Sequence, residues 1–242
     1  MANGIPTIDI APFRSGSTAE RAAVAEEVDA ASRFIGFFKI GGHGVSPELI
    51  TAMERVTTEF FDQPESAKLE LQSPSPDVNR GYAPMGTEAL SYSVGVESPP
   101  DLFEAFNVGV QRDSLDYAAM APNHSVLYHE NLWPERPEQM KVIWEEYLAA
   151  MTKLAQEILQ IFGLALGVDV DYFSSRATQS PDVFRAINYR RTDGSASPTP
   201  GQMRMGAHSD YGTCTLLHAD PVPGLQVLGK GEKWIDVTPT PG

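Results

Sequence analysis

Cysteine is almost absent: Cys214 is the single one in 242 residues. A disulfide framework within the chain is therefore excluded, and a reducing, cytoplasmic setting is the expectation. Cys214 lies in the strand-like run Thr213-Cys214-Thr215-Leu216-Leu217 and reads as a small buried hydrophobe. Positive charge is scarce as well. Eighteen Lys and Arg face 32 Asp and Glu, a formal net charge of −14. That balance argues against a basic groove for nucleic acid and against adhesion to an anionic membrane. It leaves room for an anionic co-substrate, because one buried Arg can supply positive charge locally. No stretch approaches the roughly 18 continuous apolar residues of a membrane span. The opening residues, Met1-Ala2-Asn3-Gly4, lack the basic-then-apolar order of a secretion signal. Internal repeats and low-complexity tracts are missing too. What remains is a globular composition, 42% hydrophobic and 21% charged, at a length suited to one large domain or two small ones.

Patterning along the chain predicts alternating elements in the first part. Ile5-Pro6-Thr7-Ile8-Asp9-Ile10 alternates apolar and polar and reads as a short strand. Ser17 and Glu20 form a capping-box pair ahead of a helix with Val24, Val28, Ala31 and Ile35 on one stripe, ended by Gly36. Phe37 to Ile40 is strand-like. Ser46 followed by Pro47 opens a second helix, whose stripe is Leu49, Met53, Val56 and Phe60. The longest periodic run extends from about Pro137 to Phe162, with Met140, Trp144, Tyr147, Met151, Leu154, Ile158 and Phe162 at steps of three and four. Gly163 follows as its expected stop. After Val183 the pattern turns to short strands broken by a Pro- and Gly-rich loop, Thr192 to Gly201.

The chemistry-bearing stretch is Met205-Gly206-Ala207-His208-Ser209-Asp210-Tyr211-Gly212-Thr213. In an extended strand side chains alternate faces, so His208 and Asp210 point the same way. A neutral imidazole and a carboxylate so placed can grip one metal ion from one side and leave the other side open. They make two-thirds of the 2-His-1-carboxylate facial triad of non-haem Fe(II) oxygenases. No group stands out as a separate catalytic acid, base or nucleophile.

The order of segments around that stretch resembles the Fe(II)- and 2-oxoglutarate-dependent dioxygenases, in their isopenicillin N synthase-like branch. The similar segments are Gly36 to Val45, Asn79-Arg80-Gly81-Tyr82, Asp101 to Gly109, Asn131-Leu132-Trp133-Pro134, His208-Ser209-Asp210, Pro223-Gly224-Leu225-Gln226-Val227 and Lys233-Trp234-Ile235-Asp236-Val237. The resemblance implies a mostly β chain with helical support. Its core would be a double-stranded β-helix, or jelly roll, unfinished at its C-terminal end. Residues 1–100 would be the N-terminal α/β region and residues 101–242 the oxygenase core, with the helix over about 137–162 buttressing it, all as one structural unit. His43 would sit in a structural turn. Asp101 to Gly109 would be the first barrel strand. Asn188 matches the Asn of the family's Asn-x-Tyr pair, which helps hold 2-oxoglutarate. The Tyr position is Arg190 here, expected in solvent, while Tyr189 faces the opposite way. Tyr82, Tyr92 and Phe106 would line the substrate pocket.

The implied cofactor is Fe(II), held by His208 and Asp210. The implied co-substrate is 2-oxoglutarate, which is converted to succinate and CO2 while a small-molecule substrate is oxidised by O2, usually to an alcohol. The family's second His ligand, and the Arg that pairs with the distal carboxylate of 2-oxoglutarate, come several tens of residues after the Trp234-x-x-Val237 segment. This sequence stops at Gly242, before either. The other histidines are His43, His124, His129 and His218. Ten residues of strand separate His218 from His208, about 33 Å, so only a hairpin at Tyr211-Gly212 could bring it close. Two other readings stay open: an oxidase that uses O2 without 2-oxoglutarate, and a non-catalytic binding protein with an incomplete metal site.

Overall fold

The computed structural model describes residues 4–110, 124–190 and 198–239. They fall into two compact units that interleave along the chain. The first comprises Met1–Glu48, Ala149–Ser180 and Cys214–Gly242; the second comprises Leu49–Leu148 and Pro181–Thr213.

In the first unit, β1 (Thr7–Asp9) pairs in parallel with β2 (Lys39–Gly41). Between them run α1 (Ala11–Ser15) and α2 (Thr18–Phe34). The capping box forms as expected: Ser17 accepts from the Glu20 N–H, and the Glu20 carboxylate reaches back to the Ser17 N–H at 2.7 Å. Two otherwise orphaned N–H groups are thereby satisfied. Val24, Val28 and Ala31 are buried, as the stripe requires. His43 accepts from the Val45 N–H through Nδ1 at 3.1 Å, a turn contact. A β-hairpin of β6 (Gln226–Gly229) and β7 (Lys233–Asp236) completes this unit.

The second unit contains the body of α3 (Pro47–Phe61), α4 (Glu65–Leu69), α5 (His124–Leu127) and a three-stranded antiparallel sheet. The sheet order is β3 (Gly81–Ala83), β4 (Glu104–Gly109), β5 (Val183–Asn188). Every residue of β4 is buried. An aromatic cluster packs on it. Phe106 lies 4.6 Å from Phe60 and 5.4 Å from Trp144, and Trp144 lies 4.5 Å from Phe184. Each such ring contributes roughly 1.5–3 kcal/mol by burial. Trp144 satisfies its indole N–H on Thr57 Oγ1 at 3.0 Å.

Helix α6 spans Met140–Ala165, three residues past its expected end. Gly163 is not its stop. A Cβ there would come within 2.7 Å of the Asp169 carbonyl oxygen, so the glycine lets the following turn close against the helix. Gly167, at φ +69°, ends the run instead.

Helices of 17, 15 and 26 residues stand against strands of three to six. The described chain is thus mixed helix and strand rather than mostly β. The expected strands at His208–Asp210 and Thr213–Leu217 are not formed; residues 204–225 carry no β-ladder. Around His208, in the second unit, side chains take the place of a neighbouring strand. Asp101 accepts the Gly206 N–H and Ser93 accepts the Ser209 N–H. Residues 192–197 of the Pro- and Gly-rich loop lie outside the described residues.

Candidate metal centre

His208 and Asp210 come together even without a strand. Nε2 of His208 stands 3.4 Å from Oδ1 of Asp210, with side chains 28% and 48% exposed. Nδ1 of His208 lies 2.9 Å from the Gly206 carbonyl oxygen. A carbonyl only accepts, so Nδ1 must carry the proton. In the neutral ring Nε2 then presents a lone pair toward a carboxylate that also offers lone pairs. That facing is repulsive unless a positive centre joins it: a proton on Nε2, or a metal ion. Two neighbouring ligands each about 2.1 Å from one ion stand about 3 Å apart, so the pair would need to close by only a few tenths of an ångström to share a metal. The donor set also fits Fe(II), whose facial triad is built from imidazole and carboxylate. Among the described residues no group of three His, Cys, Asp or Glu side chains converges as a metal site.

Two segments of the second unit hold this pair in place. Asp101, just before β4 and 1% exposed, accepts the Gly206 N–H on one oxygen and the Leu90 N–H on the other, each at 2.9 Å. Leu90 opens a 3-10 turn, Leu90–Val94, whose Ser93 hydroxyl receives the Ser209 N–H at 3.2 Å. The Leu102 N–H donates to the Met203 carbonyl at 2.9 Å. Gly206 is tight against the turn: a Cβ on it would lie 3.1 Å from the Ser91 side chain.

A few residues further along β4, a buried ionic cluster forms around Glu104. Lys68, 0% exposed, reaches its Oε2 at 2.6 Å and the Phe61 carbonyl at 3.0 Å. The Tyr82 hydroxyl donates to the same Oε2 at 2.5 Å. On Oε1, Asn188 Nδ2 donates at 2.9 Å and Arg190 pairs at 3.0 Å. Burial by itself raises the Glu104 pKa, but the bonds from Lys68, Tyr82 and Asn188 outweigh it and leave the carboxyl below its usual range. Burial and the adjacent Glu104 push the Tyr82 phenol up.

The expected site residues thus occupy distinct settings. Asn188 ends β5 half-buried with one amide N–H on Glu104. Arg190 is 42% exposed, as expected, but it also ion-pairs with Glu104 and donates to the Phe61 carbonyl at 3.2 Å. Tyr92 is 62% exposed in the turn, flanked by the two serines that touch the Gly206–Ser209 segment. Phe106 and Tyr82 are buried, Phe106 completely, in the aromatic core and the Glu104 cluster. Arg80, in the Asn79-Arg80-Gly81-Tyr82 segment, is buried and donates to the carbonyls of Asn79, Leu127 and His129. Sequence reasoning passed over Asp101, Glu104 and Lys68. The available signal was the acid inside Leu102-Phe103-Glu104-Ala105-Phe106, since a lone carboxylate in an apolar strand needs a buried partner.

Comparison with known proteins bears on the family. Residues 5–136 match the family described as "non-haem dioxygenase in morphine synthesis N-terminal", and residues 181–242 match the "2OG-Fe(II) oxygenase superfamily". The chain belongs to the 2-oxoglutarate- and Fe(II)-dependent oxygenases, a family built on a jelly-roll core with Fe(II) and 2-oxoglutarate as cofactor and co-substrate. It is 31% identical to the validamycin A dioxygenase of Streptomyces hygroscopicus subsp. limoneus over 237 residues, 97% of this chain and 63% of that protein. It is 30% identical to a homoarginine-6-hydroxylase of Oryza sativa subsp. japonica over 248 residues, 98% of this chain and 73% of that protein. The chain spans less than two thirds of the length of the validamycin A dioxygenase and of two Arabidopsis thaliana homoarginine-6-hydroxylases. Among solved structures, full-length Neurospora crassa T7H in complex with alpha-KG superposes with a TM-score of 0.80 at 26% identity, covering 99% of this chain and 72% of that one. JOX2 in complex with 2OG, Fe and JA gives 0.71 at 26% identity, covering all of this chain and 63% of that one.

Proposed function

We propose that this protein oxidises a small-molecule substrate, most directly by hydroxylation, using Fe(II), O2 and 2-oxoglutarate. The observation that carries the reading is the His208–Asp210 pair: two lone-pair donors 3.4 Å apart, with the imidazole proton tied to the Gly206 carbonyl on the far nitrogen. His208 and Asp210 would hold the metal. Bound Fe(II) with 2-oxoglutarate supplies O2 activation, with succinate and CO2 as co-products.

The chain's own residues do the rest. Asp210 supplies negative charge against the metal as well as an oxygen. Asn188 has two amide N–H donors; one bonds Glu104, and the second would donate to a co-substrate carboxylate. Tyr92, exposed beside the pair, is the candidate substrate contact. Tyr82 and Phe106 act on the substrate side only through the sheet they pack on. The relatives are named for small molecules, validamycin A and homoarginine, and a small molecule is the substrate class proposed here.

Anaerobic Fe(II) titration followed by turnover with 2-oxoglutarate and a panel of polar small molecules tests the reading. Stoichiometric uptake with succinate release is expected. Absence of uptake would overturn it in favour of a binding protein. Substrate oxidation without succinate would move the assignment to an oxidase that needs no 2-oxoglutarate.

A further inference from the structure

Asp101 lies outside the metal pair, yet its geometry reaches it. Its carboxylate is 1% exposed and carries no cationic partner in the contacts that place it. Each oxygen instead accepts one backbone N–H, from two segments far apart in sequence: Leu90, which starts the Tyr92 turn, and Gly206, two residues before His208. The Asp101 N–H itself donates to the Glu88 carbonyl at 2.7 Å. Burying a carboxylate is unfavourable unless its oxygens are bonded, so this arrangement holds both segments firmly. Gly206 has a second task, since its carbonyl accepts the Nδ1 proton of His208. The same residue is thus gripped by Asp101 at its N–H and grips His208 by its oxygen.

We infer that Asp101 is a positioning residue for the metal centre: through Gly206 it fixes His208 in the Nδ1–H tautomer, with Nε2 directed at the site, and it ties the Tyr92 turn to the same anchor. The inference rests on the metal-site reading for its consequence, but the positioning itself is a property of the metal-free protein. Groups that hydrogen-bond a ligating imidazole directly alter metal affinity by about 10–100-fold when removed; Asp101 acts on that group, the Gly206 carbonyl, through the Gly206 N–H.

The test compares Asp101→Asn with Glu104→Gln. Both alter a buried carboxylate at the same end of β4, but Glu104 makes no contact with Gly206. Two quantities are read in the purified protein below its melting transition: Co(II) affinity from d–d absorption, and the His208 tautomer from long-range proton–nitrogen NMR of the metal-free protein at pH 8. Asp101→Asn is expected to weaken Co(II) binding roughly 10–100-fold and to convert His208 from one tautomer to a mixture. Glu104→Gln is expected to lower the melting temperature while leaving both readings at their wild-type values. Wild-type readings in Asp101→Asn would overturn the inference. So would equal weakening in both variants, which would reduce the effect to general loosening. If the wild-type protein takes up no Co(II), the metal-site reading fails, and the tautomer comparison still decides the positioning. Should Asp101→Asn not fold, Gly206→Ala replaces it: the added methyl presses on Ser91 and displaces the same carbonyl without unpairing a buried charge. A wild-type tautomer there would overturn the inference as well.

Discussion

Two charged constellations lie at the start of β4, and they are built on opposite terms. Around Glu104 both carboxylate oxygens are filled, by Lys68 and Tyr82 on one and by Asn188 and Arg190 on the other, with Lys68 and Glu104 almost wholly out of solvent. At His208 and Asp210 the side chains are part-exposed, and the two facing atoms have lone pairs and no proton between them in the neutral state. A satisfied buried cluster holds structure together; an exposed pair with unfilled capacity is what the proposed metal site requires. The difference is one of hydrogen-bond accounting more than of residue type, since each constellation is a base beside an acid.

The comparison can be broken from either side. The largest effect is expected at the open pair. Asp210→Ala should abolish Fe(II) uptake in an anaerobic titration and succinate formation with it, yet change the stability of the metal-free protein by no more than about 0.5 kcal/mol, as for an ordinary surface substitution. At the closed cluster the signs reverse. Lys68→Ala leaves Glu104 buried beside an emptied ammonium site and should destabilise by about 3–5 kcal/mol. At this chain length that is a fall of very roughly 6–20 °C in melting temperature by calorimetry. A neutral bond in the same unit sets the scale between them: Thr57→Val strips the partner from the buried Trp144 indole and should lower stability by about 1–3 kcal/mol in urea unfolding.

The smallest effect separates two histidines. His43 accepts at Nδ1, from the Val45 N–H, whereas His208 donates there, to Gly206. Burial first, then the positive charge of Arg14 and the neighbouring His218, hold the His43 pKa below its ordinary 6.5. The folded protein therefore resists a proton that the unfolded chain accepts. Stability from this group is complete above pH 6.5 and declines as pH falls below it. His43→Asn keeps an acceptor for the same N–H in an Asx-turn but cannot titrate. Its melting temperature should fall less steeply between pH 7 and 5 than that of the wild type.

Much of the architecture was legible in local pattern. The capping box at Ser17 and Glu20, the stripe of α2 and the stripe of α6 are each decided by residues within a few turns of one another. The shared direction of His208 and Asp210 was also legible, although the strand invoked for it does not exist. Side chains of Asp101 and Ser93, more than a hundred residues away, replace the ladder. The Glu104 cluster was not legible for the same reason: Lys68 is 36 residues from Glu104, and Asn188 is 84 residues away. Arg190 looked like a solvated cation because nothing near it in sequence announces a buried carboxylate. Local periodicity speaks to elements, while partners that the fold alone assembles are silent until it forms.

The ladder between β4 and β5 places Glu104 directly opposite Asn188. Side chains on a strand change face at every residue. Sliding β5 by one position would turn Asn188 away from Glu104, and the next same-face position lies about 6.8 Å along. The placement of Asn188 is therefore digital: it is addressed by a whole number, with no intermediate setting. The connection from β4 to β5, which includes α6, can lengthen or shorten without touching that address. Redesign of the connection leaves Asn188 opposite Glu104, and a single deletion inside β5 moves it away.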